Sequence, residues 1–300
     1  MQAASAQVER WRIPSSALWP FLLIAFGWAW GLIALFVFLP DQMTRWFGSL
    51  TGHHPLFILA VYAPAIAAIV VIGYHVGWSG LRSYLSRVLL WRCPPAWVAF
   101  IVLGMPLLFY AGAAVKGNLF LDPFPFEGLA PMLGALALTL VIGPVEELGW
   151  RGLALPLLQR RLAPLWAGLL LGLVWSVWHF PAFLLSGTPQ GAWSFMPFLI
   201  GSTAISVIVT PLFNASRGSI LLPALIHFQA NNPLWPDAQP YDTYFFVAAA
   251  FVVVWLNRQT MLTRQGAVMI VVPATDDEAT QVPPRLPSNA THSEEKKWDS

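Results

Sequence analysis

Residues 129–158 read LAPMLGALALTLVIGPVEELGWRGLALPLL. The stretch is apolar enough to cross a bilayer as a helix and longer than the roughly 17 to 25 residues a span requires. Pro144 and Pro156 are expected to bend it, because a proline removes an i→i−4 hydrogen bond and crowds the preceding turn. Into this apolar run the sequence sets Glu146, Glu147 and Arg151. Ionisable groups at such depth are costly; they face the protein interior and mark function.

Outward from this stretch the apolar pattern recurs without the acidic residues. Seven more segments qualify as spans: Ala17–Leu39, Leu56–Val76, Ala96–Val115, Leu165–Leu185, Phe195–Phe213, Ser219–Leu234 and Tyr244–Leu256. The composition agrees, at 57% hydrophobic and 10% charged residues, where a soluble domain carries about a quarter charged. Sixteen Trp and twenty Phe add apolar surface suited to lipid. The fold class expected is all-α, a polytopic transmembrane helical bundle of about eight spans. The first span runs 23 residues without a small-residue cleavage site and reads as a retained anchor rather than a signal peptide. Cys93 is the single cysteine, which rules out an internal disulfide and a cysteine-based metal cage. No internal repeat supports an inverted-repeat transporter.

The basic residues fall on alternate sides of the spans. One side receives Arg10, Arg12, Arg82, Arg87, Arg92, Arg160, Arg161, Arg217, Arg258, Arg264, Arg285, Lys296 and Lys297; the other receives Arg45 and Lys116. This thirteen-to-two split places both termini in the cytoplasm by the positive-inside rule. The protein is expected to be a multi-pass integral protein of the plasma (inner) membrane. Residues 1–258 make the transmembrane domain, and 259–300, with Asp276-Asp277-Glu278 and Pro283-Pro284, too little apolar surface to pack, a flexible cytoplasmic tail. Lipid is the expected surrounding and nucleic acid is not an expected partner.

The polar residues within the spans form a short inventory: Glu146, Glu147, Arg151, His179 and His227, with Asn231 one turn beyond the last. The other histidines, His53, His54, His75 and His292, fall in loops, at a span edge or in the tail. Glu146 lies fourteen residues from Arg160, His179 fourteen from Leu165 and Asn231 fourteen from Arg217, each roughly 21 Å along a helix, with His227 at about 15 Å. Three spans therefore bring polar residues to a similar depth. Glu147 and Arg151 are four apart and able to pair, as are His227 and Asn231 on one face. Glu146 is rotated by roughly 100° from Glu147 and has no cation on its own helix face. A carboxylate so placed suits a general base, while an imidazole with an amide NH2 suits a developing oxyanion. Together they would support attack of water on an amide bond.

Three motifs carry a family resemblance. Glu146-Glu147-Leu148-Gly149-Trp150-Arg151 matches E-E-x-x-x-R, Trp175-Ser176-Val177-Trp178-His179 matches [FW]-x-x-x-H, and His227-Phe228-Gln229-Ala230-Asn231 matches H-x-x-x-N. In this order, over roughly residues 130–235, the chain resembles the CAAX-protease and bacteriocin-processing family of intramembrane proteases. The resemblance implies catalytic roles for Glu146, His179, His227 and Asn231, with Glu147 and Arg151 supporting. It implies a membrane-associated protein or peptide as substrate, entering a cavity reached from the cytoplasm or the bilayer. No cofactor is required by these residues. A divalent metal such as zinc stays open, because Glu146, His179 and His227 would supply three ligands, although no H-E-x-x-H helix is present.

Other readings stand beside these. Asn232 adjoins Asn231, and either amide could serve. Glu147 and Arg151 could be a purely structural ion pair, and Trp175-Ser-Val-Trp-His-Phe-Pro181 reads more readily as helix packing than as a cofactor site. Gly168 and Gly172 are expected to let helices approach closely. A non-proteolytic membrane protein, such as a proton-linked transporter or a binding or immunity protein, would use the same buried carboxylate and histidines without cleaving anything.

Overall fold

The computed structural model describes residues 13–120 and 126–273. Arg10, Arg12, Arg285, Lys296, Lys297, His292 and the acidic and proline pairs of the tail lie outside the described residues. Among those described, the chain is built of helices and contains no strand. Six helical segments are long and apolar enough to cross a membrane, and two shorter apolar helices accompany them. With many Trp, Leu and Phe side chains exposed, among them Trp19, Leu23, Phe251 and Trp255, the surface suits lipid and not water. The chain is an integral multi-pass membrane protein.

Helix α1 (Leu18–Phe38) packs on α4 (Ala63–Leu85). Between them come two short helices, α2 (Pro40–Phe47) and α3 (Pro55–Val61). Helix α5 (Pro95–Lys116) follows. The long fourth span is divided: α6 (Leu129–Val141) ends, and a second helix, α7 (residues 144–159), begins after a break. Next are α8 (Pro164–Trp178), α9 (Phe195–Ala215), α10 (Leu221–Ala230), α11 (Asp242–Leu256) and the short α12 (Arg258–Met261). Helix α9 is the axis of the bundle: every residue from Gly201 to Phe213 is buried, and α8 and α11 flank it.

The close approach of α8 and α9 depends on missing side chains, as the sequence suggests. A methyl group on Gly168 would lie 2.6 Å from Thr210 Oγ1, and one on Gly172 would lie 2.8 Å from Thr203 Cα. Because the backbones come so near, Ser206 Oγ donates to the Gly168 carbonyl at 2.9 Å. Small residues and interhelical hydroxyl bonds are the means by which helices associate in lipid, where no hydrophobic force drives them together.

At Pro156 the structure shows what compensates for the missing backbone donor. The helix widens into a π turn over Trp150–Ala154 just before it. The carbonyl of Gly152, which Pro156 cannot serve, instead accepts a hydrogen bond from Arg87 Nη1 at 2.8 Å. Arg87, placed by its sequence among loop cations, is in fact buried. It also donates to the carbonyls of Gly218 and Val271. Position 144 behaves differently. The chain breaks one residue earlier, with Ile142 extended and Gly143 at φ 24°, so the fourth span is two helices rather than one bent helix.

Part of the stretch expected to be a flexible tail, up to residue 273, lies within the described residues. Residues 266–273 fold back as a strap across the end of the bundle, where Val271 and Val272 are buried. Gln159 donates to the Val268 carbonyl and Ser83 to that of Pro273. The apolar run from Ala267 to Val272 is enough to pack, because buried Arg87 and Gln159 supply donors for its backbone.

Candidate active site

The break at Gly143 opens the bundle where α7 begins, and the first residues of α7 carry the acidic pair. Glu146 closes a 3-10 turn and Glu147 starts the α-helical turn that follows. Both are buried. His179 ends α8, His227 lies near the end of α10 and Asn231 caps it. The three elements bring their polar residues together at one cavity of about 820 Å³, which Glu146, His179, His227 and Asn231 all line.

Glu147 is more than the partner of Arg151. Its Oε1 accepts from Arg151 Nη1 at 2.9 Å and also from His227 Nδ1 at 2.8 Å. A carboxylate oxygen can only accept when ionised, so His227 carries a proton on Nδ1 and presents Nε2 to the cavity. His179 is fixed in the same sense. Its Nδ1 donates to the Trp175 carbonyl at 2.8 Å, which leaves Nε2 facing Glu146 Oε2 across 3.9 Å. The hydrogen bond made by one ring nitrogen sets the state of the other.

Trp175 joins these parts. Its indole N–H donates to Glu146 Oε2 at 2.8 Å, and the Arg151 guanidinium lies 4.6 Å from its ring centre. The rings of His179 and His227 meet it edge-on, with centroids 5.4 and 5.3 Å away. The residue that sequence assigns to helix packing therefore touches Glu146, Arg151 and both imidazoles. The [FW]-x-x-x-H spacing was the available signal, since Trp175 and His179 are one turn apart.

Gly143 is the second residue that sequence alone does not single out. An added Cβ would stand 2.4 Å from Asn231 Nδ2 and 3.0 Å from His227 Nε2. The amide and the imidazole thus converge on one bare stretch of backbone, too near to it to admit even a methyl group. Asn232 is occupied elsewhere: its amide donates to Gln229 and its oxygen accepts from the Leu234 backbone. Of the two amides, it is that of Asn231 that lies beside Gly143 and His227 Nε2. Asp242, at the start of α11, is also buried on the cavity wall, just outside the span boundary drawn from hydropathy.

A family model described as type II CAAX prenyl endopeptidase, Rce1-like, matches residues 128–232. The match covers about a third of the chain and contains the acidic pair and both motif histidines. Over 168 residues the chain is 30% identical to CAAX prenyl protease 2 of Methanococcus maripaludis, covering 52% of this chain. The alignment spans 61% of that relative's length. The matched region runs from the end of the loop before α6 to the residue after Asn231, so it contains all three motifs and the Gly143 break. The helices before α6 and the strap lie outside it.

Among the described residues, no three His, Cys, Asp or Glu side chains gather at metal-binding spacing.

Proposed function

We propose that the protein is an intramembrane endopeptidase that hydrolyses a peptide bond of a membrane-associated protein or peptide. The observation that carries this reading is the convergence of Glu146, His179, His227 and Asn231 on one cavity, the first three each held by a neighbour that fixes its orientation. Water held between Glu146 and His179 Nε2 gives one proton to the Glu146 carboxylate as its oxygen bonds to the scissile carbonyl carbon. The carbonyl oxygen becomes an oxyanion and accepts from the Asn231 amide. His227, its Nδ1–H held by Glu147, places Nε2 beside the Asn231 amide; preorganised donors such as that amide are the usual source of stabilisation for such an intermediate. When the intermediate collapses the C–N bond breaks, and the proton held by Glu146 passes to the departing amine, so that the products are a carboxylic acid and an amine and the Glu146 carboxylate is regenerated.

Glu147 and Arg151 act as positioning residues in this scheme, because neither reaches the cavity-facing edge of the site. No metal enters any step. The test compares membrane and released peptides from cells carrying the wild-type protein or Glu146→Gln, with metal content measured on the purified protein. A peptide cleaved only by the wild type supports the reading. Identical peptide profiles, with both proteins folded, would instead favour a carrier or binding protein.

A further inference from the structure

The cavity lined by Glu146 is also lined by a second buried carboxylate, remote in sequence from the three motifs. Asp242 begins α11, beyond the residues that match the family model, and is only 2% exposed. Close helix packing fixes it from behind. On α5, a methyl group at Gly112 would stand 2.7 Å from the Asp242 backbone nitrogen. On α9, the Pro197 carbonyl accepts from Thr243 Oγ1 at 3.1 Å. With both helices closed upon its backbone, the cavity is the open side left to the Asp242 carboxylate.

The first backbone N–H groups of α11 lie near that carboxylate, as suits an acid at a helix N-terminus, and Oδ2 accepts from Gln239 Nε2 at 3.3 Å. Oδ1 nevertheless has no hydrogen-bond partner. Nor does a cation pair with it. Among the described residues no lysine or arginine lines the cavity, whereas Glu146, Asp237 and Asp242 do. Lys116, at the end of α5, is bonded instead to Asp237 Oδ2 at 2.7 Å. Burying a charge is costly unless it is paired, and its attraction for an incoming cation is stronger there than in water. One turn along α11, Phe246 lines the same cavity and meets Phe109 of α5 edge to face, with ring centres 5.4 Å apart. An acid beside an aromatic wall suits a long basic side chain, which buries its methylene stem and presents a charged head.

We propose that Asp242 is a specificity-determining residue, whose carboxylate pairs with a lysine or arginine side chain of the bound polypeptide while the stem of that side chain lies along Phe109 and Phe246. Calling the polypeptide a substrate rests on the protease reading; the cation subsite does not depend on cleavage. Asp242 takes no part in the chemical step. It selects which segment of a polypeptide settles in the cavity.

Peptide binding to the full-length Glu146→Gln protein, held in nanodiscs of uncharged phosphatidylcholine, tests the subsite. A pool of randomised octapeptides is applied and the retained peptides are sequenced. Lysine and arginine should be enriched among them. A retained lysine peptide should bind roughly 10- to 100-fold more tightly than its norleucine analogue, as for a hydrogen bond to a charged group. Adding Asp242→Asn, which keeps the shape and an acceptor for Gln239, should abolish that discrimination, and Asp242→Glu should retain it. Carbodiimide coupling of the lysine peptide should map to Asp242, a readout that needs no substitution at this position. An empty pool, retention without basic enrichment, or coupling elsewhere would overturn the proposal. So would discrimination that survives Asp242→Asn, or a variant that weakens both peptides equally, the mark of a structural role. Peptide release from cells, compared between wild type and Glu146→Gln, scores the protease reading separately: lysine-selective binding without release sinks that reading alone, and release without selectivity sinks the subsite alone.

Discussion

A single methyl group at position 143 is expected to disable the site while leaving the bundle folded. In Gly143→Ala the new Cβ would lie 2.4 Å from Asn231 Nδ2 and 3.0 Å from His227 Nε2. Unstrained contacts between heavy atoms lie near 3.5–4.0 Å, so Asn231 must withdraw by about an ångström. Gly143 has φ 24°, and holding an alanine in such a conformation costs about 1–3 kcal/mol. That cost should appear as a lower melting temperature. Displacing one oxyanion donor costs about 2.7–4 kcal/mol in the transition state, or roughly 10²–10³ in kcat. Because the loss acts through Asn231, it should not multiply with Asn231→Ala: both single variants and the double variant should share one residual rate, as expected of groups in direct contact. The assay is the initial rate of peptide release from membranes, with thermal unfolding of each purified variant. Wild-type turnover in a folded Gly143→Ala protein would refute the reasoning, as would a double variant whose loss equals the product of the single losses.

Three further outcomes follow from the same contacts. Trp175→Phe keeps the ring over Arg151 but deletes the N–H that binds Glu146; hydrogen bonds to charged groups are worth about 1.5–3 kcal/mol, so turnover should fall roughly 10- to 100-fold, read against a melting temperature that moves little. Glu147→Gln weakens the bonds to both Arg151 and His227 and leaves a buried guanidinium without its carboxylate, a change expected to cost about 3–5 kcal/mol in unfolding measurements. Adding Arg151→Met should restore stability without restoring turnover. Truncation after Gln265 removes the carbonyls that satisfy Arg87 and Gln159, at about 1–3 kcal/mol for each buried group left unpaired, and should lower the melting temperature even though every motif is intact.

The transmembrane architecture was legible because lipid imposes a simple rule: an apolar run of the right length and few charges. The three motifs were legible for the converse reason, since Glu146, His179 and His227 stand out against such runs. Helical rise placed them at a common depth, but their rotation about each helix axis was beyond it, so the bond from His227 to Glu147 could not be foreseen. Trp175 was hidden by abundance, one indole among sixteen. Gly143 was hidden by the proline next to it, which drew the expected bend to residue 144 when the break comes at 142–143. Arg87 misled in the opposite direction. Its position in a basic loop suggested solvent, whereas Pro156 on a distant helix leaves it a carbonyl to bind. The strap likewise depends on donors contributed by other helices, a tertiary effect that local composition does not record.

Glu146 as the base that activates water is the assignment on which the mechanism depends. The most direct measurement is the turnover of a peptide cleaved by the wild-type protein, repeated with Glu146→Gln and accompanied by its unfolding curve. Glutamine keeps the shape and can still accept from Trp175, but it cannot take a proton, and a general base contributes about 10²–10⁴ to the rate. A folded Glu146→Gln protein with turnover reduced by about that factor is the predicted result. A folded variant that cleaves at the wild-type rate would contradict the central assignment.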